Sequence, residues 1–188
     1  IFEGGNEFRH FDTYSTYYAG YHVDKIRYSQ GEYHAILELD EERGIMSSGA
    51  GREGLPYLTE NDANGQWVVN CEKSDEVDTD AEYMWVHFYL PVRQPIMNGH
   101  VFVGGELFDN QYTAKNRMEY DADQKCYYLS AYLKQGGYDY MCYVEGKEGV
   151  TALPLEGSHW QTQNEYGIYV YYRPFGGRYD QLVGYKRL

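Results

Sequence analysis

Residues 156–166 read "EGSHWQTQNEY", which sets Ser158 beside His159 with the carboxylates Glu156 and Glu165 close by. A serine nucleophile needs a base within hydrogen-bond reach, a third group orienting that base, and donors for the oxyanion. Adjacent residues on an extended chain point to opposite faces, so Ser158 and His159 are badly placed to serve one another. The stretch also lacks a G-x-S-x-G elbow. Glu156 and Glu165 form a glycosidase pair only if the fold brings them together. On these grounds the segment reads as structural or binding rather than catalytic.

Other chemistry fares no better. "GAGREG", residues 49–54, matches the dinucleotide fingerprint letter for letter. That fingerprint works between a strand and a helix N-terminus. Here Leu55-Pro56 follows and no helical pattern appears, so a loop is the expectation. Asp75, Glu76, Asp78, Asp80 and Glu82, and separately Asp121 with Asp123, offer oxygens to calcium, but neither run has the glycine and closing glutamate of a calcium loop. The acidic run reads as a solvated linker. The histidines, His10, His22, His34, His87, His100 and His159, show no ligand-spaced pair, so no metal and no cofactor is expected. Cys71, Cys126 and Cys142 cannot all pair within one chain, and none has C-x-x-C spacing. A Cys126–Cys142 bridge is conceivable across a hairpin, but the turn puts them out of register and buried free thiols are expected.

The elements that must position these residues are strands. The chain has 188 residues, 23 of them tyrosine, a residue that favours pleated, half-buried surfaces. In "YMWVHFYL", residues 83–90, Met84, Val86, Phe88 and Leu90 share one face while Tyr83, Trp85, His87 and Tyr89 share the other. "YYLSAYLKQGGYDYMCYV" reads as two strands folded at Gln135-Gly136-Gly137. "IRYSQGEYHAILELD" makes a hairpin with Gly31 in its turn, and "YGIYVYYRP" with "RYDQLVGY" makes another across Gly176-Gly177. No window longer than ten residues has a convincing helical period. The expectation is an all-β protein of two domains, residues 1–75 a small or incomplete β domain and residues 76–188 an immunoglobulin-like sandwich. The seam is "EKSDEVDTD", residues 72–80, acidic and nearly free of apolar side chains.

A formal charge of -13 makes nucleic acid and anionic membrane poor partners. No apolar run approaches the roughly 18 residues of a membrane span. The chain opens on Ile1 without a basic n-region and apolar h-region, so it reads as a processed or truncated piece of a longer protein. Its C-terminal segment holds Trp160, Tyr166, Tyr169, Tyr171, Tyr172, Arg173, Arg178 and Tyr179, residue types enriched at binding hot spots. Alternation is expected to bury about half of them on one face of a terminal hairpin. The candidate partner-binding residues are Trp160, Tyr166, Arg173, Arg178 and Tyr179.

Six blocks, "GGNEFRHFD", "AEYMWVHFYLP", "NRMEYD", "YLKQGGYDYMCYV", "EGSHWQTQNEY" and "VYYRPFGGRYDQLVGY", stand in an order and spacing that resemble the Bacteroidetes type IX secretion system plug proteins. The resemblance covers nearly the whole chain. It implies a periplasmic, non-enzymatic protein of consecutive immunoglobulin-like domains that occupies the periplasmic opening of the outer-membrane translocon barrel. It also implies a further N-terminal domain, before the point where this sequence begins. The stretch "VFVGGELFDNQYTAKNRMEYD…YYLSAYLKQGGYDYMCYV" is similar to early-set glycogen- and starch-binding modules. Asn110 stands where those modules carry the tryptophan that stacks on sugar. Protein–protein interaction at the periplasmic face of the outer membrane is therefore the leading expectation, and glycan binding the runner-up.

Overall fold

The computed structural model describes residues 3–39, 57 and 62–188, so the "GAGREG" stretch lies outside the described residues. The protein is nearly all β, as expected. The strands are β1 (Arg9–Asp12), β2 (Val23–Ser29), β3 (Glu32–Leu37), β4 (Trp67–Val69), β5 (Tyr83–Pro91), β6 (His100–Gly104), β7 (Glu119–Asp121), β8 (Cys126–Lys134), β9 (Gly136–Gly146), β10 (Gly149–Thr151), β11 (Gly167–Tyr172) and β12 (Gln181–Arg187). Two single-turn helices, α1 (Val77–Asp80) and α2 (Leu153–Glu156), and a 3₁₀ turn at Glu106–Phe108 complete the list.

Two five-stranded sheets form a sandwich. One runs β2-β3-β5-β8-β7, antiparallel except for the parallel pair β3–β5. The other is built around β9, whose eleven residues pair with β1, β4, β6 and β10. The alternation in "YMWVHFYL" works as expected: Met84, Val86, Phe88 and Leu90 are buried between the sheets. They meet Phe11 of β1 and Tyr138, Tyr140, Cys142 and Val144 of β9 in one core. Phe88 stands edge-on to Phe11 at 5.5 Å and to Tyr140 at 5.1 Å, the geometry aromatic quadrupoles favour. Each such side chain contributes about 1.5–3 kcal/mol by leaving water.

The expected boundary at residue 75 runs through these sheets and not between them. β1 and β4 precede it and pair with β9; β3 precedes it and pairs with β5. The acidic stretch 72–80 is a surface connection from β4 to β5, partly coiled into α1. It looked like a linker because it covers no core.

The hairpin expected at Gln135-Gly136-Gly137 is absent. β8 and β9 belong to opposite sheets, and the chain crosses between them at Gln135. The Gln135 amide anchors that crossing, donating to the carbonyls of Thr13 (3.1 Å) and Tyr14 (3.0 Å) while its oxygen accepts Glu82 N–H (2.9 Å). The two glycines serve close approach instead of a turn. A Cβ on Gly136 would lie 2.2 Å from the Val68 carbonyl oxygen, and one on Gly137 would lie 2.5 Å from the Tyr14 hydroxyl. Cys126 and Cys142 therefore sit in different sheets, and all three cysteines are buried free thiols. The Gln30-Gly31 turn does form, with both residues at positive φ as a two-residue type I′ loop requires.

Candidate interaction surface

Glu156, Ser158 and His159 close the fold. Glu156 is buried, and its carboxylate receives the Arg9 guanidinium, Nε to Oε1 at 3.0 Å and Nη2 to Oε2 at 3.2 Å. The same carboxylate accepts the Cys142 N–H at 2.8 Å, at the edge of β9 between the ends of β1 and β10. The following residues strap the beginning of the chain. Ser158 Oγ accepts Gly4 N–H (3.1 Å), His159 N–H donates to the Gly5 carbonyl (2.7 Å), and Thr162, Gln163 and Asn164 bind Gly5, Glu7 and Gly4. Glu165 forms a separate ion pair with Arg187 at the base of the β11–β12 hairpin. The two carboxylates are thus engaged by different cations, and the serine is engaged by main chain. "GGNEFRHFD" and "EGSHWQTQNEY" are two sides of one zipper.

The acidic candidates are likewise engaged locally. Asp121 caps its own turn through the N–H groups of Asp123 (2.9 Å) and Gln124 (3.0 Å), and the Asp80 carboxylate accepts the Thr79 hydroxyl at 3.1 Å; hydrogen bonding from Ser74 first, and then from Thr79, holds the Asp80 pKa below the usual value. Among the described residues no group of three His, Cys, Asp or Glu side chains could hold a metal.

One serine–histidine arrangement escaped the sequence. His34 Nδ1 lies 3.0 Å from His87 Nε2, and His87 Nδ1 lies 2.8 Å from Ser130 Oγ, on three neighbouring strands. Burial first, and then the neighbouring His34, pushes the His87 pKa down, which favours the neutral imidazole. Acyl transfer would also need aimed oxyanion donors. Here the trio sits mid-strand, in the β3–β5 and β5–β8 ladders.

The C-terminal hairpin departs most from expectation. All six residues of β11 are exposed, and so is every residue of β12 but Gly184. Directly paired residues share a face, so Tyr169, Tyr185, Tyr171 and Leu182 lie on one side while Ile168, Val170 and Tyr172 lie on the other. Neither side is covered by the described residues, whereas alternation alone had half of them packed. A register shift after Val170 adds twist.

Of the five candidate residues, Arg173, Arg178 and Tyr179 gather at the turn of this hairpin and Tyr166 at its base, where its carbonyl accepts Leu188 N–H. Trp160 belongs to the strap and is 89% exposed. Arg173 is forked onto Asp180 at 2.7 and 2.8 Å, which fixes the turn and occupies two of its donors. Sequence reasoning missed Ile168, Val170, Phe175, Leu182, Val183 and Tyr185, all exposed. Periodicity shows which residues share a face; it carries no sign of whether anything covers that face.

No family model matches the chain, and no curated protein does. Among solved structures it is similar to a hypothetical protein from Parabacteroides merdae ATCC 43184, with a TM-score of 0.86 and 36% sequence identity. The match covers 100% of this chain and 45% of that one, so the chain spans less than half the length of its structural neighbour.

Proposed function

We propose that this chain is a non-enzymatic protein–protein interaction module, acting in the periplasm against an outer-membrane translocon barrel in the manner of the type IX secretion plug proteins it resembles. The observation that carries the interaction reading is the β11–β12 hairpin, apolar and aromatic on both faces and covered on neither by the described residues. A two-stranded hairpin is marginal by itself in water. Contiguous exposed apolar surface of this kind is what partner sites present. Arginine and tyrosine at its turn supply directed hydrogen bonds around an apolar centre. The plug role rests on the six sequence blocks. Within this reading the sandwich is of the immunoglobulin-like early-set type, its strands from residues 76–188 completed by β1 to β4.

Arg178→Ala tests the interaction reading. Loss of a hot-spot side chain costs about 2 kcal/mol, roughly thirtyfold in affinity. Capture of the outer-membrane barrel from envelope extract should fall while the melting temperature stays within about a degree, as for a surface change. A lowered melting temperature with normal capture by the folded fraction would assign Arg178 a structural role instead.

A further inference from the structure

The outer face of the β2-β3-β5-β8-β7 sheet points to a second, different ligand. The residues that alternate away from the core there are Lys25 and Arg27 on β2, Glu32, His34 and Ile36 on β3, and Tyr83, Trp85, His87 and Tyr89 on β5. Across the β5–β8 ladder they meet Tyr128, Ser130, Tyr132 and Lys134. The rings are held in place. Tyr132 lies between Tyr83, stacked at 5.4 Å, and Trp85 at 5.1 Å, and the Trp85 indole N–H donates to Glu32 at 2.7 Å. The His34–His87–Ser130 chain lies beside this cluster, and the Tyr128 hydroxyl donates to Glu119 at 2.8 Å. From Tyr83 to Tyr89 the array runs about 20 Å along the strand.

Two features decide what fits. The first is charge: on a chain of net -13, this face carries the cations Lys25, Arg27 and Lys134 against the carboxylates Glu32, Glu119 and Asp121, and Lys25 is itself paired with Asp24 at 2.8 Å. A nearly balanced face suits an uncharged ligand. The second is the pairing of rings with hydroxyl and imidazole groups: Ile36 is the one aliphatic side chain among the residues named, whereas the β11–β12 hairpin mixes Ile168, Val170, Leu182 and Val183 with its tyrosines. Fixed rings offer planes to the C–H faces of pyranoses, and the interleaved polar groups offer partners to their hydroxyls.

We propose that this face binds a neutral polysaccharide chain, with Tyr83, Trp85 and Tyr132 as the stacking platform and with His34 and the Ser130 hydroxyl, both oriented by His87, as hydrogen-bonding partners. It stands apart from the hairpin and from the Asn110 position where starch-binding modules carry their tryptophan. Affinity electrophoresis of the whole chain through gels containing glycogen, mixed-linkage β-glucan, xylan or mannan tests it, with alginate as an anionic comparison. The expected result is retardation by at least one neutral polysaccharide, weakened at least tenfold by Trp85→Ala and by Tyr132→Ala and retained by Trp160→Ala, with melting curves confirming folded protein. Tyr132 is half exposed, so its variant gives the answer if Trp85→Ala does not fold. Retardation by none of the four, retardation by alginate alone, retardation that survives loss of both rings, or loss of retardation in Trp160→Ala overturns the proposal.

Discussion

Removing the Glu156 carboxylate should unlock the zipper that joins the first described residues to residues 156–164. The Arg9 and Glu156 side chains are 4% and 1% exposed, so water cannot replace the lost partner. Breaking a buried pair from one side typically costs about 3–5 kcal/mol, because the remaining charge stays desolvated. Glu156→Ala also takes the acceptor at 2.8 Å from the Cys142 N–H, a type of loss worth about 1–3 kcal/mol by itself. The effects overlap, so we expect about 3–5 kcal/mol in all, near the upper end. Against a typical total of about 5–15 kcal/mol, that leaves a marginal protein. The midpoint of thermal unfolding should drop by on the order of 10 °C for a chain of this size. Urea unfolding with a shared m-value reads the change directly. Glu156→Gln keeps the shape and an acceptor for Cys142, and should lose less. A loss below about 1 kcal/mol in Glu156→Ala would refute the reasoning, since the pair would then be an ornament of the edge and not its closure.

Gly4→Ala should destabilise the same zipper, because a Cβ there would sit 2.0 Å from the His159 carbonyl oxygen; an unchanged melting temperature would contradict it. His87 has its pKa lowered in the folded state by burial and by His34. The unfolded chain therefore binds more protons just below the ordinary value of 6.5, and stability should be fully present above that pH and be lost as pH falls through the folded pKa. His87→Gln should flatten that part of the urea-midpoint profile, and an unaltered slope would count against it. Melting should be unaffected by EDTA; a fall of more than a few degrees would reveal a structural metal.

The sequence disclosed the parts of this fold that depend on near neighbours. Alternation in residues 83–90 identified the core face of β5, and Gly31 identified the β2–β3 turn, since both signals are local. Gln135-Gly136-Gly137 misled because glycine serves two ends, positive φ in turns and close backbone approach. Here Val68 and Tyr14, distant in sequence, press on the two glycines. The placement of β1 to β4 in the same sandwich depends on pairings such as β1 with β9, which no local pattern announces. For the candidate surface, the residue types at 160–179 were informative and their exposure was not. The His34–His87–Ser130 chain and the Arg9–Glu156 pair were illegible for the same reason: their members are 43 to 147 residues apart and meet only through strand register.

Photo-crosslinking from the hairpin in intact envelopes tests the central claim most directly. A photoreactive residue at Phe175 or Tyr179, both strongly exposed at the β11–β12 turn, is compared with one at Tyr28, as exposed as Tyr179 but on the edge strand β2. A crosslink to an integral outer-membrane barrel is expected from both turn positions and none from Tyr28. Crosslinks absent from the turn positions, or formed equally well from Tyr28, would contradict it.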